Sequence, residues 1–312
     1  MSISERRHDV TALMNHNPGS NTVPAISLVI PVHNEHGAIA ATLREAERVL
    51  SEWGGDFEII LVDDGSTDGS AEAAAQSGSG ARLIRHDTNR GYGAALKTGF
   101  AAARHDWLAF VDADGSYPIA ELPRLIAAAS AADMVVAQRT QYEEHASLGR
   151  RIGKAVLHPL ANYLAERKIP DLNSGMRVVR RALVERYWPL LPDGFSLTTT
   201  LTMAFLSAGY KVEWVPISFS KREGRSKIRP LRDMRNFLIL ILRTVTYFRP
   251  LKVYLPASAL FVLASVAVVI WSKIYTHQVM DITALFLFIA GLQLLLIGVL
   301  ADLILKVLGT RR

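Results

Sequence analysis

The 312-residue chain contains no cysteine, which excludes disulfides, thiolate metal sites and a cysteine nucleophile. Its first residues, MSISERRHDVTALMNHNPGS, lack the apolar core of a secretory signal, so residues 1–24 are expected to form a loose tail. Internal repeats and long low-complexity segments are also missing. An excess of basic charge is missing except in one place. The formal net charge is +6, yet Lys221 to Lys252 alone holds ten Lys or Arg against Glu223 and Asp233, leaving the remainder at −2. A basic block directly before apolar runs suits anionic lipid headgroups rather than nucleic acid, and no nucleic-acid partner is expected.

What the chain has in excess is long apolar sequence near its end. Residues 251–271 (LKVYLPASALFVLASVAVVIW) and 282–305 (ITALFLFIAGLQLLLIGVLADLIL) are each long enough to cross a hydrocarbon core of roughly 30 Å. Two buried helices of a soluble core would be the plainer reading, but two such runs in tandem, with a short link, point to a transmembrane hairpin over 251–312. Arg243, Arg249 and Lys252 precede it and Lys306, Arg311 and Arg312 follow, whereas the link carries only Lys273. The positive-inside bias therefore predicts that both termini and the preceding domain are cytoplasmic. Residues 229–250 mix an apolar face with spaced arginines, as an amphipathic helix at the interface would.

Between residues 25 and 228, short β-rich runs alternate with helical stretches: AISLVIPV, FEIILVDD, ARLIRHD, WLAFVDAD and DMVVAQR are the expected strands. This rhythm predicts an α/β domain with a doubly wound, mostly parallel sheet whose strands are covered on both faces. Asn34 and Glu35 follow the first strand, Asp63 and Asp64 end the second, and Asp112 and Asp114 end the fourth. Ligands of open α/β sheets bind beyond the carboxyl ends of the strands, so these clusters should face one crevice. On an extended strand Asp112 and Asp114 would project to one side and form a hard-oxygen site for Mg²⁺ or Mn²⁺. Alternatively, Asp114 opens a turn with Gly115 and caps the following helix. Asp68 likewise reads as an N-cap, and NRGYGAALKTG as a turn entering a helix whose N–H groups could meet phosphate or base oxygens.

In order and spacing, PVHNE, VDDGSTD, NRGYGAALKTG and VDADGSYP resemble the family 2 glycosyltransferases of the GT-A fold. With the basic segment and hairpin, the chain is similar to the polyprenyl-phosphate glycosyltransferases, the group that includes dolichol-phosphate mannose synthase. The resemblance implies nucleotide-sugar contacts at Pro31, Asn34, Glu35, Asp63 or Asp64, Gly91, Lys97 and Asp112. It implies a divalent metal at Asp112 and Asp114, with Ser116 where relatives often carry a metal-side Gln. Arg139, Arg150 or Arg151, Arg177, Arg222, Arg225 and Lys227 become candidates for the acceptor phosphate, and Asp171 for a role beside sugar or acceptor. The segment FSLTTTLTMAF lacks the acidic residue many relatives have there, and the chain lacks the Gln-x-x-Arg-Trp signature of processive synthases.

The function so implied is inverting transfer of a sugar from a UDP- or GDP-sugar to a membrane polyprenyl phosphate such as undecaprenyl phosphate. Self-association through the hairpin is a further expectation. A glycerolipid or glycan acceptor, or a catalytically silent membrane scaffold of the same fold, are the rival readings.

Overall fold

The computed structural model describes residues 25–140, 159, 162–163, 166–218, 246–247, 249–275 and 281–309. The tail 1–24, Arg150, Arg151, Arg222, Arg225, Lys227 and nearly all of the 229–250 segment lie outside these residues.

Seven strands form one sheet: β1 (Ile26–Val32), β2 (Phe57–Asp63), β3 (Arg82–Arg85), β4 (Trp107–Phe110), β5 (Met134–Arg139), β6 (Arg177–Arg180) and β7 (Val212–Ile217). Their spatial order is β3-β2-β1-β4-β6-β5-β7. All pairings are parallel except those of β6, which runs antiparallel to both β4 and β5. Strands β6 and β7 were not expected from the sequence. Four residues reading RVVR are too short and too basic to announce a central strand. The site follows from this order, because β1 and β4 are parallel neighbours and the order of successive strands reverses between them.

Strand β1 is buried along its whole length. Its continuous apolar run serves two cores, one on each face of the sheet. Leu28 and Ile30 pack with Ile39, Leu43 and Leu50 of α1 (His36–Trp53) and with Leu125 and Ile126 of α4 (Leu122–Ala128). Val29 points the other way, joining Leu96 and Phe100 of α3 (Tyr92–Ala102) and Leu201 and Phe205 of α6 (Leu197–Ser207). Two short helices, α2 (Ser70–Ala75) and α5 (Arg181–Arg186), complete the domain. All eleven residues of α6 are buried.

The two apolar runs are helices α7 (Leu251–Tyr275) and α8 (Asp281–Gly309), both extending beyond the bounds read from the sequence. Both are long and apolar enough to cross a membrane. Small residues let them pair closely. Ser258 Oγ donates to the Gly291 carbonyl and Ser265 Oγ to the Ala284 carbonyl, each at 2.7 Å. A Cβ on Gly298 would stand 2.6 Å from Tyr254 Cβ, so only glycine admits this approach.

Candidate active site

The carboxyl ends of β1, β2, β3 and β4 meet along one edge, and hydrogen bonds tie the loops that leave them. Pro31 is buried in β1 opposite Val62. Asn34, at a φ of 57°, accepts the Thr67 N–H on its side-chain oxygen and donates its own N–H to Ser66 Oγ. Glu35 donates its N–H to Ser70 Oγ, and His36 donates its N–H to Asp68. Asp68 also accepts from Ser70 N–H and Oγ. It staples the β1 loop to the β2 loop, while Gly69 takes the cap position of α2 that the sequence suggested for Asp68.

Asp63 and Asp64 take different parts. Asp63 is wholly buried, accepts the Ser66 N–H at 2.9 Å, and has Arg85 Nε 3.1 Å from its other oxygen. Asp64 binds the next loop: it accepts the N–H groups of Arg90 (2.9 Å) and Gly91 (2.8 Å), and His86 Nδ1 lies 2.7 Å away. The other His86 nitrogen reaches Thr98 Oγ1 on α3. The N–H of Gly91 is thus committed to Asp64, and that of Ala94 to the Asp193 carbonyl. With these bonds the turn in NRGYG acts as a joint that fixes α3 beneath the edge. Gly91 is needed there, because its φ is 104° and a Cβ would lie 2.5 Å from the Asp193 oxygen. Lys97, on α3, pairs with the Asp193 carboxylate at 2.8 Å.

Strand β4 stops at Phe110, so Asp112 and Asp114 stand in the turn beyond it and not on a strand as expected. Each is held by its own set of partners. The Tyr92 hydroxyl donates to Asp112 Oδ1 at 2.8 Å, and Ser116 donates both its N–H (3.0 Å) and its hydroxyl (2.5 Å) to Asp114 Oδ1. Ser116 therefore orients Asp114 within a turn, as that reading had it, but Asp114 caps no helix: Pro118 precedes the helical turn at Ile119–Glu121 and Glu121 precedes α4. Asp112 presses so closely on Gly175 that a Cβ there would meet its Oδ2 at 2.2 Å. Burial first, and then the Asp112 charge, push the Tyr92 phenol well above its ordinary pKa, so it remains a donor. Burial likewise takes Tyr117 to about 12; its hydroxyl accepts the Gly175 N–H at 2.6 Å.

Beneath this layer lies Arg177, proposed from the sequence as a phosphate ligand. It has no exposed surface. Its guanidinium donates to the carbonyls of Leu172, Ser174 and Thr198 and to Thr202 Oγ1. Desolvation lowers its pKa to about 10, so it stays charged at neutral pH. It is an internal clamp joining 172–174 to α6, and it does not reach the crevice. Arg139 and Asp171, expected to meet acceptor and substrate separately, grip each other through two hydrogen bonds of 2.7 and 2.8 Å. Burial alone would raise the Asp171 carboxyl; the Arg139 guanidinium overrides it and holds the group below the usual carboxylate range.

A cavity of about 500 Å³ opens at the ends of β2 and β3, lined by Gly65, Ser66, Thr67, Arg85, His86 and Asp87. The last three were overlooked in the sequence, although Arg85 ends β3 and His86 and Asp87 follow it, as Asp63 ends β2 and Asp64 follows it. Among the described residues no three His, Asp or Glu gather to cage a metal. Two carboxylates, all oxygen, fit Mg²⁺ or Mn²⁺ completed by diphosphate oxygens and water, the usual way such ions are held with phosphate substrates.

The family model for glycosyl transferase family 2 matches residues 27–188, more than half of the chain. The chain belongs to that family. A second model, the GtrB C-terminal hairpin, matches residues 249–307. Among curated relatives, the undecaprenyl-phosphate 4-deoxy-4-formamido-L-arabinose transferase of Pseudomonas aeruginosa is 34% identical over 191 residues. That match covers 57% of this chain and 56% of the relative, so the chain spans about half the length of that relative. The dolichyl-phosphate beta-glucosyltransferase of Saccharomyces cerevisiae is 25% identical, over 79% of this chain and 83% of its own. In fold, this family 2 chain is similar to glucosyl-3-phosphoglycerate synthase from Mycobacterium tuberculosis, solved with Mn²⁺, UDP and phosphoglyceric acid. The TM-score is 0.58 at 21% identity, covering 71% of this chain and 78% of that one. The expected GT-A-like, mostly parallel sheet is therefore present.

Proposed function

We propose that the chain transfers a sugar, with inversion, from a nucleoside diphosphate sugar to a membrane polyprenyl phosphate such as undecaprenyl phosphate. The carrying observation is the Asp112–Asp114 pair at the open edge of a family 2 sheet, in a chain that ends in a membrane-length hairpin. The crevice has the right reach. From β3 to β4 there are three strand spacings of about 4.8 Å, roughly 14 Å in all, enough for base, ribose and diphosphate laid across the edge. The base and ribose would lie over Ser66, Thr67, Arg85 and Asp87, and the diphosphate toward Asp112 and Asp114. Asp112 and Asp114 would hold a divalent cation, which would supply positive charge to the departing diphosphate.

The chain's own contribution is placement. Tyr92 and Gly175 fix the Asp112 carboxylate, Ser116 fixes that of Asp114, and Asp64 with His86 holds the α3 joint behind them. An acceptor phosphate oxygen attacks the anomeric carbon, the bond from that carbon to the diphosphate oxygen breaks, and the nucleoside diphosphate leaves. A phosphate monoester is already anionic near neutral pH, so no strong general base is required. The segment 195–207 contains no carboxylate to serve as one. The basic residues that flank the hairpin favour a cytoplasmic domain, and in that placement the acceptor phosphate would lie at headgroup depth beside it.

The test is a matrix of UDP- and GDP-sugars against undecaprenyl phosphate, diacylglycerol and a soluble glycan, using the purified full chain. Transfer to undecaprenyl phosphate from at least one donor is expected. Transfer only to the other acceptors would reassign the acceptor, and no transfer from any donor would favour a silent scaffold.

A further inference from the structure

A second cavity, of about 210 Å³, lies where the domain meets the first apolar helix, lined by Glu166, Arg167, Leu206, Gly209, Tyr210 and Arg249. It is separate from the transfer crevice. Leu206, Gly209 and Tyr210 stand at the carboxyl end of α6, whereas Phe195, which stacks on Tyr92, precedes its amino end. Eleven residues of helix put on the order of 16 Å between the two.

The surroundings are cationic. Arg249 pairs with Glu166, and Lys252 Nζ lies 2.5 Å from the same carboxylate. Arg186 donates to the Tyr210 hydroxyl in the cavity wall at 2.9 Å. Arg167 lines the same cavity, so Arg249, Lys252 and Arg167 stand near it with Glu166 as the one carboxylate among the described lining residues, and Arg186 lies behind Tyr210. That excess sits at the residues where α7 begins, so the cavity mouth is at the depth of lipid headgroups. Tyr163, whose ring centroid lies 5.9 Å from Lys252 Nζ, and Tyr247 are both more than two-fifths exposed, as interfacial tyrosines are.

We propose that this cavity binds the phosphate of an anionic membrane phospholipid, holding the catalytic domain against the bilayer at a point distinct from the sugar-transfer site. The ligand chemistry is a phosphodiester anion gripped by Arg167 and Arg249, with its acyl chains lying along α7. Glu166 organises the two cations it pairs with and stops short of neutralising the group. The site does not depend on which sugar or acceptor the crevice uses.

The experiment is native mass spectrometry of the full chain in neutral detergent with phosphatidylglycerol or phosphatidylcholine. Phosphatidylglycerol should be retained preferentially, and Arg167→Gln should weaken its retention roughly five-fold, the effect of one cation near an anionic lipid. Arg167→Lys should restore part of it. Millimolar inorganic phosphate should leave the lipid bound. Equal retention of the two lipids, or unchanged retention in Arg167→Gln, would overturn the proposal. Displacement by inorganic phosphate alone would do the same, because the site would then belong to a soluble anion. Thermal unfolding of each variant separates loss of the site from loss of the fold.

Discussion

Asp112 is held from two sides, by the Tyr92 hydroxyl and by the bare Cα of Gly175. Adding a methyl group at Gly175 forces the carboxylate to move. Since a displacement of about 1 Å in a catalytic group costs on the order of 100-fold in rate, Gly175→Ala should lower kcat/KM for the donor by about that factor while the chain still folds. Measuring steady-state kinetics alongside thermal unfolding checks both halves of the statement. Asp171 makes a prediction about pH. Its folded-state pKa is depressed, so the stability it shares with Arg139 is complete above the ordinary carboxylate value near 4 and fades as pH falls through the lower folded value. Asp171→Asn should remove this part of the acid dependence, which an acid-unfolding titration of both proteins would reveal as a shallower slope.

At the scale of the element, α6 and β6 depend on one buried cation. Removing the Arg177 guanidinium takes a donor from three carbonyls and from the Thr202 hydroxyl, although the Thr198 carbonyl keeps that of Thr202. Arg177→Met should therefore destabilise the domain by about 3 kcal/mol, read as a lowered denaturation midpoint. The hairpin offers a parallel case: Gly298→Leu drives a side chain into Tyr254 and should separate α7 from α8. Because the chain has no native cysteine, a Ser258→Cys, Gly291→Cys pair can report that separation as lost crosslinking.

The same elements explain what the sequence could and could not reveal. Strands β1, β2 and β4 are legible because each is an apolar run buried on both faces. The α7–α8 pair is legible through its length. Strand β6 hides inside DLNSGMRVVRR, where arginines at either end suggested a surface. One of those arginines is fully internal, tolerable because the carbonyls of Leu172, Ser174 and Thr198 and the Thr202 hydroxyl all accept from it. Asp64 was recognised as a site residue, but its bonds to Arg90 and Gly91 span 26 and 27 positions and follow no local periodicity.

Over the whole molecule, charge and apolar length act together. The basic block lies between a domain of near-neutral charge and the hairpin, so association with anionic membranes should weaken with salt while the hairpin keeps the chain membrane-bound. Orientation is testable in the cysteine-free background. A cysteine at Tyr275, near the link, should react with a membrane-impermeant maleimide added outside intact cells, and one at Tyr163 should not; the reverse pattern would contradict cytoplasmic placement of the domain.

Above all, we propose that Asp112 and Asp114 hold a divalent cation together with the donor diphosphate. Electron paramagnetic resonance of free Mn²⁺, titrated with the full chain and either UDP or GDP, measures this directly. The wild-type chain should withdraw Mn²⁺ from solution only when one of these nucleotides is present, and the Asp112→Asn, Asp114→Asn protein should not. Equal withdrawal by both proteins, or none by the wild type with either nucleotide, would contradict the claim.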